Sequence, residues 1–323
     1  MSITTFLELK NVTRRFSVDQ PLFSAAPREL LAVNNVSFSI EKGTTLGLVG
    51  ESGCGKSTLA KIVAHLLAPS SGDVLLEGES LWQGSKETLK SLPRRIQMIF
   101  QDPVSSLNPR KSIGKSIQEA LDVHGVGTSS DRKKVVTELL ERVGMRAEHY
   151  GRYPHEFSGG QRQRIAIARS LVLNPDFIVC DEAVSALDVS VQAQVLNLLS
   201  DLQNDFSLTY MFISHDLAVV GHVSDVIAVM YLGRLVELTS AQKLFDNALH
   251  PYTQMLLEAV PVPVPGRRSV GIGQKGDLPS PLTPPAGCPF HPRCKHAMQI
   301  CREVVPDWLE VGQNHHVLCH LYS

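Results

Sequence analysis

Residues 50–58, GESGCGKST, bring a lysine and two hydroxyls to the end of a run of small residues. Gly50, Gly55, Lys56 and Ser57 fill the fixed positions of G-x-x-x-x-G-K-[ST], a loop that turns backbone N–H groups inward around phosphate oxygens. Glu51, Ser52, Gly53 and Cys54 form the body of that loop, and Thr58 carries it into a helical pattern. Lys56 is placed to reach β- and γ-phosphates and Ser57 to ligate Mg²⁺, while the helix N-terminus adds partial positive charge. A glycine-rich turn that happens to precede a helix is the bland reading. The complete motif, with an apolar run before it and a helical pattern after it, disfavours that. Cys54 reads as a tolerated small residue rather than a reactive thiol.

A second group of candidates ends the apolar run FIVCDE, residues 177–182. Neighbouring side chains on a strand point to opposite faces, so Asp181 and Glu182 are free to do different jobs. Asp181 suits the Mg²⁺ shell, and Glu182 suits polarising an attacking water. An Asp-Glu pair alone usually marks a solvated strand end; beside a phosphate loop it gains weight.

A third group lies near the C-terminus. Cys288, Cys294, Cys301 and Cys319 follow a C-x5-C-x6-C-x17-C spacing. Four thiolates are the complement for tetrahedral zinc or for a 4Fe-4S cluster, and structural zinc sites favour tighter C-x2–4-C knuckles. His291, His296, His315, His316 and His320 keep a mixed Cys/His zinc site open, and unliganded buried cysteines are the bland alternative. Residues 246–323 also hold 11 of the 19 prolines and 6 of the 12 histidines, a shift that marks a distinct Pro-stiffened module. Within it, residues 260–287 read as an extended connector.

The elements that must position these groups alternate strand and helix signals over residues 1–245. TTLGLVG, IQMIF, FIVCD and YMFIS are short continuous apolar runs, as in strands buried on both faces of a parallel sheet. LELKNVTRRF and AVNNVSFSI alternate instead, as in an antiparallel layer. Helical patterns cover Lys56–Leu67, Gln161–Leu173 and Val191–Leu202, and a further stripe joins Val135, Val136, Leu139, Leu140 and Val143. The fold class is α/β. With 323 residues, a net charge of −1 and no long apolar run, the chain excludes a strong field for nucleic acid and a membrane span of its own. A protein on the cytoplasmic side is expected, peripheral to a membrane through partners.

Three further segments carry a family resemblance. FSGGQRQR (157–164) resembles the signature of ATP-binding cassette (ABC) proteins, SALD (185–188) their D-loop, and ISHD (213–216) their switch-histidine region. Gln101, in IFQDP, matches the Q-loop glutamine. The resemblance implies a P-loop NTPase-type, mostly parallel sheet with an antiparallel β subdomain and an inserted helical subdomain at about 102–163. It implies that Gln101 and His215 sense the γ-phosphate, with Gln101 also near Mg²⁺, and that Phe16 stacks on adenine. Ser158, Gly159, Gly160 and Gln161 open a helix and so form a second anion site on physical grounds alone; by resemblance they act on ATP held by a partner cassette. Ala183 stands where the family commonly has proline.

HPYTQMLLEAVP (250–261) and the tail through LPSPLTPPAGCPFHPRC resemble the oligopeptide/dipeptide importer branch, particularly its second ATPase subunit. That resemblance implies an ATPase docked beneath two membrane permeases, fed by an extracytoplasmic solute-binding protein and paired with a paralogous ATPase subunit. It also implies a 4Fe-4S cluster on the four cysteines, whose role would be to stabilise the Pro-rich tail. The rival readings are a soluble non-transport ABC ATPase and an iron–sulfur redox-sensing ATPase.

Overall fold

The computed structural model describes residues 5–18, 28–102, 106–260 and 279–323. Most of the expected connector, residues 261–278, lies outside the described residues. The strands are β1 (Thr5–Val18), β2 (Arg28–Glu41), β3 (Thr45–Val49), β4 (Ser71–Leu76), β5 (Glu79–Ser80), β6 (Ile96–Ile99), β7 (Phe177–Asp181), β8 (Thr209–Ser214), β9 (Val226–Tyr231), β10 (Arg234–Ser240), β11 (Trp308–Glu310) and β12 (His316–Leu318). The helices are α1 (Lys56–Val63), α2 (Lys86–Arg95), α3 (Ile113–Val123), α4 (Ser129–Arg142), α5 (Gly159–Leu171), α6 (Val189–Phe206), α7 (Leu217–Val223), α8 (Ala241–Asp246), α9 (Pro251–Glu258) and α10 (Ile300–Glu303). Residues 41–44 and 83–213 form one compact unit; residues 5–40, 45–82 and 214–323 form a second.

In the first unit β6, β7 and β8 run parallel, with Ile96 opposite Phe177 and Phe177 opposite Thr209. Every residue of β7 and β8 is buried, as the unbroken apolar runs require for strands covered on both faces. Helix α4 starts at a reciprocal capping box between Thr128 and Asp131. Its stripe turns Val136, Leu139 and Leu140 inward and leaves Val135 41% exposed, so most of that stripe is ordinary core. Helix α6 is longer than the expected Val191–Leu202 and ends at Ser207 in a left-handed cap.

In the second unit β2-β1-β4-β5 form an antiparallel sheet. Leu7 faces Leu76 and Leu9 faces Val74, and the register slips between Lys10 and Thr13. In the same unit β3, β9, β10, β12 and β11 pair side by side in that order: β3 and β9 are parallel, and the remaining pairs are antiparallel. β9 and β10 are joined through Leu232 and Gly233, both at positive φ (42° and 81°), the geometry of a tight twisted hairpin. The C-terminal residues thus add two strands to this sheet, with Glu237 of β10 opposite Val317. Helix α1 stops at Val63 instead of continuing to Leu67. His65 turns left-handed at φ 58°, and the Leu66 N–H bonds back to the Lys61 carbonyl at 2.8 Å.

Candidate functional site

The phosphate loop lies between β3, all five residues of which are buried, and α1. Gly50, Gly53 and Gly55 all have positive φ, a backbone conformation glycine adopts without a Cβ penalty. At two of them nothing larger fits: a Cβ on Gly50 would meet the Met230 carbonyl oxygen at 2.2 Å, and one on Gly55 the Ala32 carbonyl oxygen at 2.1 Å. Lys56 is 4% exposed, and its Nζ donates to the carbonyls of Gly50 at 2.7 Å and Glu51 at 3.0 Å, so the loop's own backbone holds the ammonium at its centre. Cys54 is buried 3.8 Å from that ammonium. Burial raises its thiol pKa despite the lysine, which keeps it an inert thiol. Ser52, Gly53 and Ser57 are exposed and Thr58 is half-buried.

Glu51 departs from the expectation for a loop residue. Its N–H donates to Tyr252 Oη at 2.9 Å rather than standing open for phosphate. Its carboxylate takes both arms of Arg293, Nη1 to Oε2 at 2.7 Å and Nη2 to Oε1 at 2.8 Å. Tyr252 and Arg293 were not legible as site residues: they are 201 and 242 positions away from Glu51, and no local pattern couples them.

In the other unit Asp181 ends β7 and is 6% exposed. Glu182 lies beyond the strand, contrary to the strand-alternation expectation. Its φ of 48° is left-handed, so a turn, not the pleat, sets its direction away from Asp181. The Glu182 N–H donates to the Ile213 carbonyl at 3.0 Å, and Ser185 closes the turn by donating its N–H and Oγ–H to the Glu182 carbonyl. Gln101 Nε2 donates to Glu182 Oε2 at 2.7 Å, which brings these two predicted residues together. Ala183 is buried, 2% exposed.

Ser158 caps α5: the Gln161 N–H donates to its Oγ at 3.4 Å, and the Ser158 N–H donates to Gln161 Oε1 at 3.0 Å. Ser158, Gly159 and Gln161 are exposed. Gly160 also has a packing role, because a Cβ there would lie 2.5 Å from Val191 Cγ1 of α6. His215 directly follows β8 and is exposed; Asp216 next to it caps α7. Phe16 is half-buried on β1, with the Arg14 guanidinium 4.7 Å from its ring centre.

Cys288, Cys301 and Cys319 are buried, and Cys294 is partly so. Each of the four thiols lies within electrostatic reach of the other three. Gly287 permits the approach: at φ 66°, a Cβ would meet the Cys301 carbonyl oxygen at 2.5 Å, and the Cys288 N–H donates to that same oxygen at 2.8 Å. Backbone N–H groups face the sulfurs, from His296 to Cys294 and from Met298 to Cys301, both at 3.4 Å, and from Phe290 to Cys288 and Leu321 to Cys319. Donors of this kind suit thiolates that carry charge. Burial nevertheless pushes the Cys288 thiol up to about 11 and raises Cys294 and Cys319, so ligation would have to expel protons. Among the described residues no group of three or more His, Cys, Asp or Glu side chains is placed to hold a metal ion. The expected metal set is therefore not a ready single-ion site. His315 is committed elsewhere, its Nε2 2.7 Å from Glu237 Oε1.

Known proteins resemble the chain along its whole length. The family model described as ABC transporter matches residues 33–185, and the C-terminal region of the oligopeptide/dipeptide transporter matches residues 236–301. The oligopeptide transport ATP-binding protein AppF of Bacillus subtilis is 53% identical over 99% of this chain and 98% of its own. The chain belongs to the ATP-binding cassette family. The cassette is an ABC ATPase carrying the C-terminal region of the oligopeptide/dipeptide branch. It is also 48% identical to the di/tripeptide transport ATP-binding protein DppF of Pseudomonas aeruginosa, over 98% of this chain and 97% of that one. Its fold resembles the ATP-binding cassette MJ0796 bound to ADP and phosphate, with a TM-score of 0.64, 26% identity, and coverage of 73% of this chain and 98% of that one. These likenesses favour a transport ATPase over the two rival readings. Among the described residues no helix is long and apolar enough to cross a membrane.

Proposed function

We propose that this cassette is the ATP-hydrolysing subunit of a peptide-type importer, working at the cytoplasmic face beneath two permeases that a solute-binding protein supplies. The observation that carries the reading is the full-length similarity to AppF, which runs through the C-terminal region. Lys56 and the N–H groups of the glycine turn would bind the phosphates, with Phe16 against the base. Ser57, Gln101 and Asp181 would be the residues to hold Mg²⁺, which would supply neutralisation of phosphate charge. Glu182 is the general base that takes a proton from the attacking water; Gln101 orients its carboxylate, and His215 contacts the γ-phosphate. Ser158–Gln161 would cap ATP held by a second cassette, a paralogue, so that nucleotide binding closes the pair and hydrolysis reopens it.

The four cysteines would hold a 4Fe-4S cluster. Support comes from their wide spacing, their mutual reach and the N–H groups facing the sulfurs. Such a cluster supplies covalent cross-links to a Pro-rich segment. Anaerobically purified protein should be brown, contain about four iron and four sulfide per chain, and bleach on Cys294→Ser. Colourless protein with one zinc per chain would replace the cluster with zinc. For transport, the cassette reconstituted with permeases and partner should show ATP hydrolysis stimulated by peptide-loaded binding protein. Hydrolysis indifferent to permeases and binding protein would refute the importer reading.

A further inference from the structure

Glu51 places a full negative charge on a loop whose glycines and lysine are arranged for anions, where an unpaired carboxylate would oppose binding. Arg293 meets that charge with two parallel hydrogen bonds of 2.7 and 2.8 Å. The Arg293 side chain is 3% exposed and that of Glu51 17%, so this is not a solvated surface pair. The guanidinium lies 5.9 Å from the Tyr231 ring centre and 5.8 Å from that of Phe290, which confine it. Tyr252 holds the same residue from the main-chain side by accepting the Glu51 N–H. Both Tyr252 and Arg293 come from the C-terminal region, and Arg293 directly precedes Cys294.

We propose that Arg293 and Tyr252 form a charge clamp on the phosphate loop, through which the C-terminal region sets the cassette's affinity for ATP. The proposal rests on reading residues 50–58 as the nucleotide site. Arg293 and Tyr252 act as positioning residues: they touch Glu51, not the reacting atoms. With the guanidinium in place the carboxylate is neutralised, and with Tyr252 in place the Glu51 N–H is fixed. Without it, the free carboxylate repels a polyphosphate and the loop loses a tether. Because Arg293 adjoins Cys294, whatever orders the thiols also orders the clamp.

The test is calorimetric titration of Mg-ATP into the full-length chain, purified anaerobically. Arg293→Ala should weaken binding by about tenfold, and adding Glu51→Gln to it should recover most of that loss. In the complex with permeases and partner, Arg293→Ala should raise the KM for ATP while kcat changes by less than about threefold. A folded Arg293→Ala protein with unchanged affinity, or an equal loss with and without Glu51→Gln, would overturn the clamp. If Arg293→Ala does not fold, Arg293→Lys serves: it keeps the charge but not the two-armed geometry, and should show a smaller loss, again relieved by Glu51→Gln. An Arg293→Lys loss that Glu51→Gln leaves untouched would overturn it too. Lys56→Ala is the control. If it binds ATP as tightly as the unaltered chain, the nucleotide-site reading fails, and the clamp fails with it.

Discussion

Glu182→Gln isolates chemistry from structure, because it exchanges one oxygen for an NH₂ at constant shape. The left-handed backbone at φ 48° strains either residue equally, and the Glu182 N–H still reaches the Ile213 carbonyl at 3.0 Å. The Gln101 donor 2.7 Å from Oε2 finds the amide oxygen instead, so that contact weakens without being left empty. Folding stability should therefore change by no more than about 0.5 kcal/mol, the range for a substitution that removes no buried packing. Hydrolysis differs because the amide accepts no proton from water. Loss of a general base costs at least ~100-fold, or about 2.7 kcal/mol in the barrier. ATP affinity should hold or rise, since the proposed site loses a negative charge. The assay is single-turnover hydrolysis in the assembled complex with the partner's site silenced, beside a thermal melt and an ATP titration of the same protein. Turnover within about threefold of the unaltered complex would refute the assignment of Glu182.

Other consequences are open to measurement. Gly55→Ala puts a Cβ 2.1 Å from the Ala32 carbonyl at a φ of 107°; it should cost about 2–4 kcal/mol and abolish ATP binding, read by urea melts and titration. His250 is buried and its pKa is pushed down to about 3, so below the ordinary 6.5 the unfolded chain takes up a proton that the folded chain refuses. Stability should fall as the pH drops from 6.5 toward 3, by up to ~1.4 kcal/mol per pH unit from this group. His250→Asn keeps an acceptor for the Tyr252 N–H and should remove one proton from that slope, measured by urea midpoints at several pH values; an unchanged slope would contradict the buried neutral imidazole. Ser158→Arg should block hydrolysis at the partner's nucleotide more than at the chain's own, as read by single-site variants of the pair.

The sequence by itself determined what is local. A phosphate loop, a capping box such as Ser158/Gln161 and fully apolar strands such as β7 are each encoded within a few consecutive residues, by φ preference, hydrogen-bonding side chains and periodicity. Even the role of the glycines was legible, though their neighbours, the carbonyls of Ala32 and Met230, were not. Tertiary structure decided what depends on distant residues. Strand alternation misplaced Glu182, because the contact that fixes its turn comes from Ile213 on the adjacent strand β8. Cysteine spacing suggested a metal complement, but only the fold brings the four thiols within electrostatic reach of one another. The composition of the last 78 residues looked like a separate module, yet pairing with β10 makes its strands part of the second unit's sheet. Most of all, Glu51 is an unremarked variable position in its motif. Its charge acquires meaning only when the fold brings Arg293 to within 2.7 Å, since a Coulomb partner 242 residues away leaves no periodic trace in the chain.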